Sequence, residues 1–345
     1  MALDIKNFLK NKDKNNITAP ETAVKSPKTQ IRERRIWLDS MITLLALELM
    51  ACFSYGMRAA MLAGICVAAA AVTELICLRL MRREAAADDL ICTSDALMTA
   101  LMLPAVFDYR AAAAACIFAV VMKNVLGGRR NMIFSPAAAA YTFLYASWKG
   151  QLLMFQQPHD VQDLGDIAGN TANLVNSASH TFNMTGKLPY SAFELLMGNF
   201  PGPPGAVSIL ILLIAALMLL LRRDISAGAF TGAVFGFALL SMLVPAADSF
   251  TDSLKYTLCT NMTLFASVYI IADRRISPQN PVFAFMYGFL TAAAAYIAVA
   301  TSAKENAVVM MTMLTAPIAL GFRNIERHIA SADETAGEEA AGNAE

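Results

Sequence analysis

The sequence has little charge for its length. Asp, Glu, Lys and Arg make up 16% of its 345 residues, and 57% of the residues are hydrophobic. Soluble domains carry about 25% charged residues, so the composition excludes an ordinary water-soluble domain. Because the 27 basic and 27 acidic residues cancel, the charge balance points to no nucleic-acid partner.

Cysteine pairs with the spacing of a metal site or a disulfide framework are also missing. All six cysteines fall in or beside apolar runs, and none forms a CxxC pair: Cys52, Cys66, Cys77, Cys92, Cys116 and Cys259. We therefore expect buried thiols that pack as small hydrophobes. The lack of CxxC spacing argues against an iron–sulfur cluster in this chain. Because the basic first 35 residues lack a short apolar core and cleavage pattern, no signal peptide is expected.

What the sequence does contain is a series of apolar runs. Ten occur, at about residues 36–56, 58–81, 90–104, 109–123, 132–148, 204–221, 226–247, 255–272, 281–300 and 305–322. Several of them, such as 90–104 and 255–272, are shorter than the ~20 residues that a full span requires. Irregular backbone at membrane depth must be shielded by protein or a polar cavity. The sequence thus predicts an all-α membrane protein of about ten transmembrane segments, some of them half-helices or re-entrant turns.

The basic residues are distributed unevenly between alternate loops. If the N-terminus is cytoplasmic, ten crossings leave only these Lys and Arg residues outside: Arg58, Arg110, Lys149, Lys187, Lys255 and Lys304. Cytoplasmic loops are enriched in Lys and Arg. This pattern predicts a multi-pass protein of the inner (plasma) membrane with both termini in the cytoplasm.

The same threading divides the chain into three parts. A basic cytoplasmic segment covers residues 1–35, the transmembrane domain covers 36–322, and a polar tail, expected to be disordered, covers 323–345. Within the membrane domain, residues 149–203 form one long polar loop on the outer side, and long loops in compact proteins are often functional.

Two stretches suggest an internal repeat. Residues 94–104 and 257–278 belong to the third and eighth apolar runs, and each joins a polar, Thr-containing start to an apolar half-span. Inverted repeats with broken helices are common among membrane transport proteins. The pattern favours two inverted five-segment repeats.

Five stretches, in order, are similar to one known family. They are TELI at 73–76, SDALMTALMLP at 94–104, KNVLGGRRNMIFSPAAAAYTFL at 123–144, FELLMGNFPGPPGAVS at 193–208 and IIADRRISPQNP at 270–281. Their order and spacing resemble the RnfD/NqrB family, whose members belong to the Rnf electron-transport complex and to the sodium-pumping NADH:quinone reductase. The chain is identified as a divergent member, since Ser135 and Ala206 stand where that family has Asn and Glu.

The resemblance implies an FMN joined through its phosphate to a threonine on the outer side. The family motif is of the S-G-A-T type, and the matching loop here reads NLVNSASHTFNMTGKLP. Thr181 stands at the acceptor position, with His180 where Ala is usual, and Ser179 and Thr185 are alternative acceptors. A tethered flavin would relay electrons, while the protein supplies its position and electrostatics. The alternative is a loop that has lost its flavin and in which Thr181 is an ordinary threonine.

The stretch GGRRNMIFSPA at 127–137 places a polar turn directly before an apolar segment. Gly127 and Gly128 let the backbone approach a ring or phosphate closely, and free N–H groups at the start of a helix attract anions. With Asn131 and Pro136 they are candidates for contact with the cofactor. The alternative is a cytoplasmic loop whose two arginines simply follow the positive-inside rule.

Three carboxylates in or beside apolar runs are candidates for an ion path. Glu74 lies inside the second run, Asp95 opens the third, and Asp273 ends the eighth. A charge at bilayer depth costs ~2.5–3.5 kcal/mol on insertion scales, so such residues tend to be paired or functional. The alternatives are an ion pair between Glu74 and Arg79, and helix capping by the two aspartates.

Together these features favour a membrane flavoprotein subunit of an ion-translocating, Rnf-type electron-transport complex, coupled to Na⁺ or H⁺. Nothing in the sequence binds NADH or an iron–sulfur cluster, so partner subunits in the membrane and subunits carrying those sites are expected beside the lipid bilayer. Because a fold does not determine a function, two alternatives remain: a non-redox transporter or channel-like protein on the same scaffold, and a structural membrane subunit.

Overall fold

The computed structural model describes residues 27–82, 87–126, 132–159 and 173–342, and most of them are helical. The helices of the N-terminal half are α1 (Pro27–Tyr55), α2 (Met57–Leu80), α3 (Ile91–Met102), α4 (Tyr109–Val125) and α5 (Pro136–Leu152). A 3-10 turn at Ala87–Leu90 precedes α3. The 12 residues of α3 give a length of about 18 Å, well short of the ~30 Å hydrocarbon layer.

The C-terminal half begins with short elements and continues with long helices. The short elements are β1 (Met154–Gln156), β2 (Leu174–Asn176), α6 (Ala178–Thr185), α7 (Ala192–Met197) and α8 (Pro204–Val207). The helices that follow are α9 (Ile209–Leu221), α10 (Ala227–Leu243), α11 (Phe250–Cys259), α12 (Thr263–Ala266), α13 (Pro281–Ser302) and α14 (Ala307–Gly342). A single π-helical turn, Ser267–Ile271, extends α12.

Four helical segments are long and apolar enough to cross a membrane: Ile31–Tyr55, Met57–Leu80, Pro281–Ser302 and Ala307–Ile329. Shorter apolar helices accompany them at 91–102, 209–221 and 227–243. Large apolar side chains point outward from these helices, and Leu80 and Leu221 are 83% and 75% exposed. Exposed apolar surface on this scale fits contact with lipid, and the chain is a multi-pass membrane protein. The number of ten crossings stays a prediction.

The structure is mostly helical, as expected, and the described residues add one short two-stranded ribbon. Strands β1 and β2 pair in antiparallel register, with Met154 opposite Asn176 and Gln156 opposite Leu174. They bring together the two ends of a long polar segment in the loop predicted to lie outside. Backbone groups that leave a helix need new hydrogen-bond partners, and a short ribbon supplies them.

The first and last helices extend beyond residues 36–322, which stay the predicted bounds of the transmembrane domain. Helix α1 begins at Pro27 rather than at residue 36, and proline is well suited to the first turn of a helix. Helix α14 continues to Gly342, through most of the tail expected to be disordered. That tail contains no proline and is rich in Ala and Glu, which are strong helix formers.

The long helices connect two ends of the bundle. One end, the arginine end, is built around Arg35, Arg222, Arg274, Arg275 and Arg323. The other end, the Thr181 end, is built around Thr181, Lys187, Asp248, Asn261 and Glu305. Helix α13 runs from the arginine end, where Asn280 N–H donates to Glu326, to the Thr181 end, and α14 returns. The arginine end and the Thr181 end are thus separated by the length of these helices, as expected if they lie on opposite sides of a membrane.

Helices α10 and α13 pack with their backbones in contact. A Cβ atom added to Gly288 would overlap the carbonyl group of Ala229, and one added to Gly232 would overlap the carbonyl group of Phe285. Small residues allow such close approach in membranes, where helix association depends on van der Waals contact rather than on the hydrophobic effect. This contact holds together the two helices that bridge the ends.

The apolar run 255–272 contains the helix break that its shortness predicted. Helix α11 ends at Cys259, and Asn261 and Met262 both have φ of 56°, in the left-handed region, before α12 begins at Thr263. Left-handed backbone costs roughly 1–2 kcal/mol for a residue with a side chain. Such strain persists only where surrounding contacts hold it, and those contacts come from α6.

Candidate functional site

Helix α6 carries the candidate flavin threonine in its second turn. Ser177 caps its first turn, since the Ser177 hydroxyl accepts the backbone N–H of His180 at 2.9 Å. At the other end Gly186 adopts a left-handed conformation, with φ of 67°, and its N–H bonds to the carbonyl oxygen of Phe182. A capped start and a glycine stop define a short, fixed helix.

The three candidate acceptor hydroxyls on α6 lie in different surroundings. Thr181 is half-buried, and among the described residues its hydroxyl donates only to the Ser177 carbonyl oxygen, at 3.3 Å. Ser179 is 5% exposed, and its hydroxyl accepts the Asn261 backbone N–H at 2.8 Å. Thr185 is exposed and donates to the Thr181 carbonyl oxygen at 2.7 Å. The Ser179 hydroxyl is thus already engaged in a buried hydrogen bond, whereas the hydroxyls of Thr181 and Thr185 lie nearer the surface.

The same helix is docked on the break between α11 and α12. Besides the Ser179 bond, the side-chain amides of Asn183 and Asn261 exchange two hydrogen bonds, of 2.6 and 3.1 Å. These bonds satisfy the backbone and side chain of Asn261, a residue held in left-handed backbone. Because α6 makes them, Thr181 has a fixed position relative to the broken helix.

Glu305 is a buried carboxyl beside α6 that sequence reasoning missed. It lies in the short loop between α13 and α14, yet it is only 3% exposed. Its Oε2 atom accepts a hydrogen bond from the Ser177 hydroxyl, and its Oε1 atom has no hydrogen-bond partner in the part of the chain that the structure describes. Burial raises the pKa of Glu305 to about 7, and this value already includes the smaller, opposite effect of the Ser177 hydrogen bond. The sequence signal was a Glu at the first position of the apolar run 305–322, where a charged residue is usually expected to face water.

Glu74 forms a buried ion pair between helices. Its Oε1 atom lies 3.0 Å from Nζ of Lys123, and its Oε2 atom accepts from the Asn124 side-chain amide at 2.9 Å. The alternative partner considered from the sequence, Arg79, was wrong. A rule that pairs charges one turn apart on the same helix cannot predict a partner on α4, because that contact depends on how α2 and α4 pack.

The two candidate aspartates meet at one arginine. Arg275 binds Asp95 with both terminal nitrogens, at 2.6 and 3.0 Å, and its Nε atom lies 2.8 Å from Asp273. Asp95 is buried in the second turn of α3 and is not a helix cap. Two carboxylates thus share one guanidinium, and Arg323, which donates to the Arg275 carbonyl oxygen, also interacts electrostatically with Asp273. Sequence reasoning identified both aspartates but missed the arginine that joins them.

A fourth carboxylate lies inside α1. Glu48 is 9% exposed, and its Oε1 atom accepts a weak hydrogen bond from the Cys52 thiol, at 3.8 Å. Among the side chains that the structure describes, no Lys or Arg forms an ion pair with it. A Glu inside an apolar run is the same sequence signal that singled out Glu74, and it was overlooked here.

The glycine-rich turn can be followed only in part. Gly127, Gly128 and Asn131 lie outside the described residues. Pro136 is buried and occupies the first position of α5 after Ser135, where its missing N–H costs nothing. The Ser135 hydroxyl is buried and has no hydrogen-bond partner within the described ranges.

An open cavity of about 870 Å³ lies at the arginine end. Its lining includes Trp37, Lys123, Tyr269, Asp273, Arg275 and Arg323. Lys123 is the partner of Glu74, and Arg275 is the partner of Asp95. The two ionic clusters therefore open onto the same space.

Comparison with known proteins agrees with the resemblance seen in the sequence. The model of the NQR2, RnfD, RnfE family matches residues 24–322. The chain is 28% identical over 203 residues to the B subunit of the Na(+)-translocating NADH-quinone reductase of Chromohalobacter salexigens, covering 56% of this chain and 48% of that protein. It is 27% identical over 192 residues to the D subunit of the Na(+)-translocating ferredoxin:NAD(+) oxidoreductase complex of Acetobacterium woodii, covering 55% of this chain and 58% of that protein. The matched region thus spans about half the length of these curated relatives.

Proposed function

The chain belongs to the NQR2, RnfD, RnfE family, and from this membership we propose that it is a membrane subunit of an ion-translocating electron-transport complex. The two relatives are subunits of sodium-translocating oxidoreductases by name. The proposed complex is of the Rnf or NADH-quinone reductase type and lies in the inner membrane. Membrane subunits and subunits that carry NADH or iron–sulfur sites would be its partners, because no such site is evident in this sequence.

The cofactor that we propose is an FMN esterified through its phosphate to Thr181. The observation that carries this proposal is the position of the threonine. It is half-buried, on a short helix at the end of the bundle opposite the arginine end, and in the part of the chain that the structure describes its hydroxyl bonds only to the residue that caps that helix. Esterification would cost that one hydrogen bond, about 1 kcal/mol. The surrounding fold can therefore accept the modification without losing a buried contact.

The neighbouring hydroxyls are poorer acceptors. Ester formation at Ser179 would place a phosphate in a buried site and disturb the bond that holds Asn261. Thr185 is accessible, but its hydroxyl lies at the end of α6, where it donates to Thr181 and accepts the Lys187 N–H. Modification there would place the flavin on the last residue of the helix rather than in its second turn.

When bound, the flavin supplies reversible electron transfer, and the protein's part is to position it. Ser177 caps the helix that bears the attachment point, and Ser179 and Asn183 lock that helix on the break of α11 and α12. The exposed Lys187, two residues after the end of α6, lies 3.1 Å from Asp248, which balances its charge.

The ion route that we propose passes the two ionic clusters at the arginine end. Glu74 with Lys123, and Asp95 with Asp273 and Arg275, flank one cavity. In the second cluster two carboxylates share one guanidinium, so one of them could bind a proton or cation while the other keeps its pairing with Arg275. Lys123, Asp273 and Arg275 line the cavity, so Asp273 is the carboxylate of these clusters that a Na⁺ or H⁺ entering from the cavity would meet first.

The flavin is tested by expression with a flavin transferase and partner subunits, followed by a denaturing gel viewed under ultraviolet light. A fluorescent band is expected for the chain without substitutions. Thr181→Val keeps the shape of the side chain and removes the hydroxyl, so it should abolish the fluorescence and leave the membrane fold intact. Ser179→Ala and Thr185→Val are matched controls that should retain it.

Peptide mass spectrometry decides the attachment residue directly. The expected result is an FMN mass on the peptide that spans Val175 to Lys187, localised to Thr181. An unmodified peptide from protein assembled with its transferase and partners would overturn the proposal. The chain would then have to be a flavin-free membrane subunit or a non-redox transporter on the same scaffold.

A further inference from the structure

The surroundings of Glu305 contain few charges for a buried carboxyl. The groups that contact it or interact with it electrostatically are Ser177, in the turn before α6, and Tyr141, on α5. Tyr145, one turn further along α5, interacts electrostatically with Tyr141, and Lys304, the residue before Glu305, is exposed. Helix α12, which also packs near the start of α14, has the sequence TLFA and offers none. In the described ranges no Lys, Arg or His forms an ion pair with Glu305.

A carboxylate in such a place is unstable as an ion. Burying an unpaired charge costs several kcal/mol or more, and the group usually neutralises itself by binding a proton. One oxygen of Glu305 has the Ser177 hydroxyl, but Oε1 and the buried Tyr141 hydroxyl both lack a hydrogen-bond partner in the described part of the chain. A protonated carboxyl has a hydrogen to donate, and an ionised one has only acceptors.

One atom, the Ser177 hydroxyl oxygen, links the protonation state of Glu305 to α6. The Ser177 hydroxyl oxygen accepts the His180 N–H and thereby caps the helix, while its own hydrogen is directed to Glu305. An ionised Glu305 holds that hydrogen strongly, because bonds to a charged acceptor are stronger than those between neutral groups. A protonated Glu305 holds it weakly. The charge at residue 305 therefore acts on the first turn of the helix that carries Thr181.

We propose that Glu305 is a proton-binding site at the Thr181 end, coupled through Ser177 to the occupant of α6. The carboxylate takes up one proton to form one O–H bond, and no electron moves at Glu305. An electron arriving on a group at Thr181 adds negative charge nearby and favours this uptake; by linkage, the bound proton favours the electron equally. Coupling to electron transfer rests on the proposed flavin at Thr181, whereas proton binding by Glu305 does not.

Proton binding is tested by infrared spectroscopy of the full chain in lipid nanodiscs, titrated from about pH 5 to about pH 9. The expected result is a protonated carboxyl signal that disappears as the pH rises through neutrality. Glu305→Gln should remove this signal, while Asp248→Asn, which removes an exposed carboxylate at the same end, should retain it. A titration unchanged by Glu305→Gln would overturn the proposal.

The link to α6 is tested with two Ser177 variants in the same titration. Ser177→Ala removes the hydroxyl that stabilises the ionised carboxylate, so the midpoint should move to higher pH. Ser177→Thr keeps a hydroxyl and should keep the midpoint near that of the unmodified chain. If Ser177→Ala leaves the midpoint of the titration unchanged, Ser177 does not couple Glu305 to the helix.

Flavin-loaded complex completes the test. Its flavin midpoint potential should depend on pH with a bend near the Glu305 titration, and Glu305→Gln should remove the bend. A bend that persists in Glu305→Gln would overturn the coupling. An unmodified peptide at Thr181 would overturn the proposed function alone, because the infrared titration still decides whether Glu305 binds a proton.

Discussion

The ammonium group of Lys123 lies 3.0 Å from a carboxylate oxygen of Glu74, and the two side chains are each only 3% exposed. The pair joins α2 to α4 in the apolar bundle, and Asn124 satisfies the second carboxylate oxygen. A charge in the membrane is tolerated when a partner and hydrogen bonds replace its hydration. Glu74 is therefore part of the structure as well as a candidate for the ion route.

We expect Glu74→Gln to destabilise the protein, because it leaves the Lys123 ammonium buried without its counter-ion. Breaking one partner of a buried pair typically costs about 3–5 kcal/mol. The double variant Glu74→Gln with Lys123→Met removes both charges and should recover most of the loss. Thermal unfolding midpoints in detergent or nanodiscs measure both effects. A double variant no more stable than Glu74→Gln would contradict this view of the pair.

In the cluster of Arg275, Asp95 and Asp273, substitution of the arginine should lower thermal stability more than substitution of an aspartate. Arg275→Gln removes the guanidinium that binds both Asp95 and Asp273, so a large loss of thermal stability is expected. Asp95→Asn leaves one carboxylate for one guanidinium and should be tolerated better. Arg275→Lys should fall between them, because an ammonium cannot bind a carboxylate through two nitrogens. Equal losses for Arg275→Gln and Asp95→Asn would speak against a shared guanidinium.

The glycine contact between α10 and α13 can be tested with a single methyl group. Gly288→Ala should lower the thermal midpoint strongly and reduce the yield of folded protein, since its Cβ would overlap the backbone of Ala229. Gly64→Ala in α2 is the control, because a Cβ there meets nothing within 4 Å. The control should be neutral or slightly stabilising, as alanine is the better helix former. Comparable losses in both variants would show that close backbone packing is not the cause.

Stability should depend on pH through Glu305. Burial raises the pKa of this carboxyl from 4.5 to about 7, so folding favours its protonated form. Its contribution to stability is complete below about pH 4.5 and is lost as the pH rises through about 7. Thermal midpoints should therefore fall between mildly acidic and mildly basic pH, and Glu305→Gln should flatten this part of the profile. A profile with the same slope in Glu305→Gln would assign the dependence to another group.

The two ends of the bundle should face opposite sides of the membrane. Asp248 and Arg223 are exposed at the Thr181 end and the arginine end, and cysteines introduced there are accessible to reagents. With an impermeant thiol reagent on intact cells, Asp248→Cys should be labelled, whereas Arg223→Cys should be labelled only after lysis. The reverse pattern would place both termini outside. The unsubstituted chain gives the background from its six native cysteines.

Several features of this protein follow from the sequence alone. The length and apolarity of a run determine whether a helix can cross the hydrocarbon layer, because the layer has a fixed thickness. The shortness of 255–272 was enough to predict a break, which falls at Asn261 and Met262. Motif order was enough to identify the family, since it depends on residue types and spacing. These are local or one-dimensional properties, and no knowledge of helix packing is needed to read them.

Side-chain partnerships were decided only by the tertiary structure. Glu74 bonds to Lys123 across 49 positions, Ser177 to Glu305 across 128, and Asp95 to Arg275 across 180. The nearest candidate in the sequence, Arg79 for Glu74, was not the partner. In an apolar bundle a buried charge takes the partner that helix packing brings within 3 to 4 Å, because lipid offers none. Which helices touch, and at what height, is therefore what turned isolated carboxylates into two ionic clusters and one proton-binding candidate.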